Sequence, residues 1–427
     1  MVGKQRLVVA IAISALLAVA STATPAFARS GASPAIRKPD ARFLGVVRSR
    51  THAASAARSA ATPPLTYHHG PVQHSSRVYP IFWIPPSYSL PAGYQTLVTQ
   101  YFNDVAHDSF KTSNVYASDT QYFDVAGGAK RFLSYSTSVR PAIVDNHALP
   151  ADGCANYLLD DGSTSTNCIT DAQIEDEIQS VIADRGLPSG LGIEYFLFTP
   201  QGLASCFDAT ALASGGCYDP FSFDGFCAYH SSTDFSPSAV LYANMPFAQL
   251  AGCSSDESPN GNAADSVLNV TSHEHNETMT DPLGSGWFDS GGMENGDKCA
   301  FTFGAALGST ATGQYNQVIN GHRYWLQLEW SNRKAGCVAR NAFPQPTASF
   351  TFSPTAPGPG TKVKFSSTAH DVDDTVLTYR WTFPDGAVST LRSPAHAFST
   401  PGAKQVALVV FDAHGDQVRV THTVNVG

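Results

Sequence analysis

All eight cysteines lie between Cys154 and Cys337, and the last ninety residues carry none. An even set confined to one stretch reads as a disulfide-stapled domain followed by a domain built without them. Eight cysteines allow 105 pairings. Neighbour pairing gives Cys154–Cys168, Cys206–Cys217, Cys227–Cys253 and Cys299–Cys337. The rival use is a zinc-thiolate site, but no C-x-x-C occurs. The N-terminus agrees with an oxidising compartment. Lys4 and Arg6 precede an apolar run from Leu7 to Ala20, then Ala26-Phe27-Ala28. That is the order of a secretory signal, here residues 1–28. The chain is therefore expected to be secreted, extracellular or associated with the cell surface. The apolar run is short of the roughly 20 residues a membrane span needs, and no later stretch qualifies. No membrane span is expected in the mature chain.

Composition bounds the partners. The 427 residues are 43% hydrophobic and only 14% charged, enough for two or three domains with sizeable cores. The formal net charge is -9. Residues 1–64 hold almost all of the imbalance toward lysine and arginine, with Asp40 as their one acid, so the remainder is strongly acidic. An acidic body argues against nucleic acid or an anionic membrane as the main partner. It suits solubility, or cation binding at a few sites.

Residues 29–64 are rich in Ala, Ser, Arg and Pro without a sustained period, and read as a disordered linker or a pro-segment. Order is expected to begin near Leu65. Arg77 to Ile84 is a dense apolar run, a buried strand that Pro80 pushes toward a sheet edge or a strand end. Tyr94, Leu97, Val98, Tyr101, Phe102 and Val105 form one helical stripe. Thr170 and Gln173 match a capping box. Ile174, Ile178, Val181 and Ile182 then make a second stripe, stopped by Gly186 and Pro188. Ile193 to Thr199 reads as a core strand. The alternation predicts an α/β (α+β) domain over residues 65–342. After the prolines of Phe343 to Thr347 the pattern is all β. Val418, Val420, Val424 and Val426 share one parity, the period of a half-buried strand, with only His422 interrupting.

The tail, residues 346–427, resembles the PKD domain family, an immunoglobulin-like sandwich. The resemblance rests on Ala348-Ser349-Phe350, Tyr379-Arg380-Trp381-Thr382-Phe383-Pro384-Asp385-Gly386, Pro394-Ala395-His396-Ala397-Phe398, Pro401-Gly402 and Val409-Val410-Phe411-Asp412. The family usually has Gly where this chain has Pro384, so the turn there is expected to differ. The resemblance implies a spacer or adhesion unit whose partner is a surface polymer or a protein. Asp371, Asp373 and Asp374 form either a polar loop or an oxygen-rich calcium site.

The richest chemistry sits in Thr271-Ser272-His273-Glu274-His275-Asn276-Glu277, running on to Asp281-Pro282. Asp265 can cap a helix starting near Ser266, and Pro282 ends it. On that helix His273 and Glu277 are four apart and share a face. This is the geometry of an H-E-x-x-H zinc helix with the second His replaced by Glu277. In such helices the i, i+4 pair holds the metal and the intervening Glu, here Glu274, takes a proton. Asp281 faces the negative end of the helix dipole and repels Glu277. The segment therefore needs a cation, an arginine or backbone amides nearby. Glu294 is the best candidate for a third ligand, with Asp281 and Asp297 behind it. Two carboxylates beside one imidazole weaken the pull of Zn²⁺ on water and shift preference toward Mn²⁺ or Ca²⁺. His230 reads either as a packed residue beside a disulfide or as a further ligand. His68 and His69 read either as a pair facing a site or, more commonly, as a solvated turn before Gly70-Pro71. No G-x-S-x-G and no P-loop occurs. A paired-carboxylate glycosidase built on Glu274 and Glu294 stays open.

The N-terminal domain resembles the phosphate-induced protein/EXORDIUM-like group. The matching pieces are Tyr67-His68-His69-Gly70-Pro71-Val72, Val78-Tyr79-Pro80-Ile81-Phe82-Trp83 and Phe226-Cys227-Ala228-Tyr229-His230. Ser272-His273-Glu274 with Glu277, Thr280, Asp281 and Pro282 follow, then Trp287, Glu294, Asp297 and Cys299. The resemblance implies an exported, cysteine-rich domain with a peptidase-like helix. Two functions are expected from these readings. One is a secreted, metal-dependent, peptidase-like hydrolase with Glu274 as base, acting on protein or a cell-wall polymer. The other is a non-catalytic extracellular or cell-wall binding protein on the same scaffold.

Overall fold

The computed structural model describes residues 45–50, 63–154, 167–210, 216–219, 225–233, 239–249, 252–341, 345–371, 377–413 and 415–427. The proposed signal and most of the proposed linker lie outside these residues.

The N-terminal domain is built on a seven-stranded sheet. In chain order its strands are β1 (Val46–Arg48), β2 (Ser76–Trp83), β3 (Thr137–Val139), β4 (Ile143–Asp145), β5 (Ile193–Phe198), β6 (Phe226–Ser232) and β7 (Leu241–Met245). Across the sheet they run β1-β6-β7-β5-β2-β3, with β4 also on β2. The pairs from β7 through β5 to β2, β3 and β4 are parallel. Strands β1, β6 and β7 add an antiparallel edge.

Side-chain alternation explains the layering. Val78 and Phe82 of β2, with Phe196 and Phe198 of β5, join a core with helix α1 (Tyr94–His107). Tyr79, Ile81 and Trp83, with Tyr195 and Leu197, join a second core with helix α2 (Asp171–Arg185). A parallel sheet covered on both faces requires near-continuous apolar strands, and β2 and β5 supply them. The Thr170 amide donates to Gln173 Oε1 at 2.9 Å, and Gly186 takes a left-handed φ of 59° as α2 ends.

Two expectations are corrected here. Pro80 does not put its strand at an edge, because β2 lies between β5 and the β3/β4 pair. Ser76 N donates to Ser136 O on the β3 side, and Arg77 N donates to Gly192 O on the β5 side. Alternation then points the Pro80 nitrogen toward β3 and β4. Residue 80 falls between the β3 register, ending at Val78, and the β4 register, starting at Ile81. A missing N–H costs nothing in that gap. Order also begins before Leu65, since β1 lies within the segment read as a linker.

All four disulfides join sequence neighbours, as the spacing suggested. The C-terminal domain is an immunoglobulin-like sandwich. One sheet holds β8 (Phe350–Ser353), β9 (Lys362–Ser367) and β12 (Ala395–Ala397). The other holds β10 (Thr378–Thr382), β11 (Val388–Ser389), β13 (Gly402–Phe411) and β14 (Gln417–Val426). Trp381 fills its core, its ring 4.9 Å from Phe350, with Nε1 donating to Leu391 O at 2.8 Å. His422, the interruption in β14, lies over Phe350 at 4.3 Å. Asp373 and Asp374 of the proposed calcium loop lie outside the described residues.

The sandwich is docked on the first domain. Asp416 bonds Arg333 and Asn341, and Ser134 Oγ donates to Gln417 Oε1 at 3.0 Å. A side chain at Gly415 would meet the Thr120 carbonyl 2.0 Å away, so only glycine allows this approach.

Candidate functional site

Helix α3 (Ala264–Thr280) is buried along its whole length although most of it is polar. It begins two residues before the position expected from sequence. Asp265 does not cap it. Its carboxylate instead accepts from Ser258 Oγ at 2.6 Å and from the amides of Asn260 and Asn262, tying down the entering loop. The helix ends at Asp281, before Pro282, as expected.

Buried polar groups need partners, and α3 finds them differently on its two sides. His275 faces the core. Its ring lies 3.1 Å from Ser76 Oγ and 3.2 Å from Tyr116 OH, and burial pushes its pKa down to about 3. Glu194 stands 3.7 Å from it, fully enclosed, and burial pushes that carboxyl up to about 8. Glu194 therefore keeps its proton when folded and loses it when unfolded between pH 4.5 and 8. Stability must fall as pH rises through that window. Glu194→Gln should remove on the order of 3 kcal/mol of the loss between pH 5 and pH 8. Denaturant unfolding of both proteins at the two pH values checks this.

The other side of α3 carries the residues singled out in the sequence. His273 Nε2 is 2.9 Å from Glu277 Oε1 and 3.7 Å from Asp297 Oδ1. His230, from β6, places Nδ1 3.2 Å from Glu274 Oε2 and 3.7 Å from Glu277 Oε2. Its Nε2 is 3.8 Å from Glu294 Oε2. Two triads thus share Glu277: His230 with Glu277 and Glu294, and His273 with Glu277 and Asp297. In each, one ligand atom per residue lies within 4.8 Å of the others. Glu294 groups with His230 rather than with His273. Asp281 plays a different part, its Oδ1 accepting the amides of Ser285 and Gly286 at 2.6 Å each. Those amides answer the helix-end repulsion. His68 is stacked on Phe288.

The loop that carries Glu294 and Asp297 is held against the helix. Asp297 N donates to Glu277 Oε1 at 2.8 Å, and Gln327 Nε2 sits 2.8 Å from His273 Nδ1. A Cβ on Gly296 would stand 2.9 Å from the His273 ring, so the close approach depends on glycine. Cys299–Cys337 anchors the end of this loop. Lys298, the nearest basic side chain in sequence, is turned to Asp289 and Pro63 O instead.

The sequence reading missed Asp119 and Glu329, both fully buried. Asp119 sits in the helical turn Val115–Gln121 and accepts from Asn295 at 3.0 Å. Glu329, on the strand Glu329–Ser331, has neither carboxylate oxygen bonded. Both are far in sequence from α3, and neither belongs to a motif.

Burial dominates the electrostatics. It raises the carboxyls of Glu274, Glu277, Glu294, Asp119 and Glu329 well above the usual range, and their mutual repulsion adds to this. Burial pushes His230 down to about 3, leaving a neutral ring with a lone pair. Burial would also lower His273, but Glu277 and Asp297 reverse the sign and raise it. Among the described residues, no lysine or arginine pairs with any of these carboxylates. Glu274 Oε1, Glu277 Oε2, both oxygens of Glu294 and His273 Nε2 all lack a hydrogen-bond partner. Enclosed, unpaired oxygens around two imidazoles are a donor set that fits a divalent cation.

Residues 344–426 match the family model of the PKD domain, and the C-terminal unit is a PKD domain. The N-terminal region is similar to Protein EXORDIUM-like 3 of Arabidopsis thaliana, 28% identical over 201 residues. That match covers 41% of this chain and 58% of the relative, so the chain spans little more than half of that protein's length. Among solved structures, the PKD1 domain of the Vibrio cholerae metalloprotease PrtV is 29% identical over 19% of this chain and 96% of its own, with a TM-score of 0.18. OgpA from Akkermansia muciniphila is 10% identical over 86% of this chain and 97% of its own, with a TM-score of 0.20. Four disulfides and a PKD domain are consistent with an extracellular protein. Among the described residues, no helix is long and apolar enough to cross a membrane.

Proposed function

We propose that the N-terminal domain is a secreted, metal-dependent hydrolase of peptide bonds, carried on a PKD spacer or adhesion module. One observation carries the reading: a fully buried set of carboxylates that no described basic side chain neutralises, gathered around His230 and His273. His230, His273, Glu277, Glu294 and Asp297 would hold the ion. Zn²⁺ suits the imidazoles, and the carboxylate share admits Mn²⁺ or Ca²⁺. The ion would supply a Lewis acid. Glu274 is the base. Its Oε2 is fixed by His230 at 3.2 Å and its Oε1 is unpartnered, so it can accept a proton and return it to a leaving amine. The PKD domain would hold the enzyme against a surface polymer or protein.

A specific observation favours a second reading, a non-catalytic extracellular or cell-wall binding protein with a structural ion. Every group of the cluster except Asp297 is essentially closed to solvent. Elemental analysis and chelation separate the readings. The purified chain should hold at least one divalent ion. An ion at 100 to 1,000 times its Kd adds about 3–4 kcal/mol. Chelation should therefore lower Tm by on the order of 10 °C. A chain without stoichiometric metal sinks the hydrolase. A metal-bound chain that cleaves no peptide in a broad panel, even with the centre opened, leaves the second reading.

A further inference from the structure

The chain's own first strand lies against the centre. Strand β1 lies antiparallel on the outer edge of β6, pairing Val46 with Tyr229, Val47 with Ala228 and Arg48 with Phe226. Main-chain bonds fix it at both ends. His230 N donates to Gly45 O at 3.1 Å, and Ser49 N donates to Gly225 O at 3.0 Å. The strand reaches the chemical groups as well as the edge. A Cβ built on Gly45 would lie 1.9 Å from His230 Nδ1 and 2.8 Å from Glu277 Oε2. Val46 and Val47 are buried, whereas Arg48 points outward.

We infer that the outer edge of β6 is the acceptor for an extended polypeptide substrate, and that residues 45–49 occupy it as an internal stand-in. This rests on the peptide-hydrolase reading and names its substrate class. Two kinds of contact select such a ligand. Once β1 has left, the edge of β6 offers main-chain donors and acceptors to any extended chain, the mode of strand addition. Selectivity then comes from the positions that face the protein. The residue over His230 must be glycine, because any Cβ would overlap the ring. The next two should be small, apolar and β-branched, as Val46 and Val47 are. The backbone at Gly45 is the part of the bound segment set beside His230 and Glu277. A substrate can enter only when β1 has left.

The test uses the full chain carrying Gly45→Leu, with Val47→Pro as a second variant that removes an amide from the strand paired on β6. Release of β1 is read by trypsin cleavage after Arg48, which the wild-type sheet protects. Docking is read by fluorescence anisotropy of a labelled synthetic peptide of residues 43–51. Each variant should bind this peptide at least tenfold more tightly than wild type does. A peptide carrying Gly45→Leu, or one N-methylated at Val47, should bind at least tenfold more weakly than the parent peptide. If β1 is released, far-UV circular dichroism is unchanged and the peptide binds no better than a scrambled one, the inference is overturned. Zn²⁺ uptake separates the two levels. Docking without uptake keeps the acceptor edge and removes the metal hydrolase, and uptake without docking removes the acceptor edge alone.

Discussion

Glu274→Gln, made in a chain whose first strand has been displaced, should lower peptide hydrolysis by about 10²–10⁴-fold and leave metal content unchanged. The amide keeps the shape of the carboxyl and can still meet His230 Nδ1, which lies 3.2 Å from Glu274 Oε2. What it cannot do is take a proton. Glu274 belongs to neither metal triad, whereas Glu277 belongs to both. Glu277→Gln should therefore abolish stoichiometric metal binding as well as turnover. The pair of variants separates proton transfer from ion binding. Elemental analysis reads one, and initial rates on a glycine-valine peptide read the other. Equal loss of metal in both variants would place Glu274 among the ligands and remove it as the base.

Much of this centre was legible in one helical turn. The i, i+4 spacing of His273 and Glu277 fixes a shared face whatever the surrounding fold, and the structure puts the two groups 2.9 Å apart. The loop holding Glu294 and Asp297 was legible because an acidic run preceding a cysteine is both charged and anchored. Asp119 and Glu329 were not, since tertiary packing alone brings them to α3. His230 is ambiguous in sequence, because a packed histidine beside a disulfide is commoner than a ligand. Its strand reads Phe226-Cys227-Ala228-Tyr229-His230, and alternation along it cannot say which face meets a site. Pro80 misled for a related reason. A proline removes one donor, and only the register of β3 and β4 shows that this donor had nothing to meet. By composition residues 45–48 belong to a linker. The strand they form is specified by the edge of β6 and by two glycine-dependent contacts, neither of which a local pattern reveals.

Removing the Cys299–Cys337 bridge should cost about 4 kcal/mol and also loosen the metal centre. The bridge closes a span of 38 residues, and a cross-link of that length restricts the unfolded chain by about this amount. Cys299 is fully buried, so Cys299→Ala with Cys337→Ala avoids leaving an unpaired thiol in the core. The bridge has a second effect because of where it sits. Glu294 and Asp297 lie five and two residues before Cys299, and their loop is also held by Asp297 N on Glu277, by Gln327 on the Gly296 carbonyl and by the bonds of Asn295 to Asp119, Thr280 and Trp330. Loss of an outer support of this kind weakens metal binding by about 10–100-fold. Cys154–Cys168 is the control. It spans 14 residues and belongs to a separate buried cluster with Cys206 and Cys217. Replacing it should cost about 3 kcal/mol and leave metal affinity as it was. Denaturant midpoints measure the first quantity, and competition with a chelator of known affinity measures the second. If both double variants lose stability and neither loses affinity, the loop is held by its hydrogen bonds alone and the bridge has no part in shaping the centre.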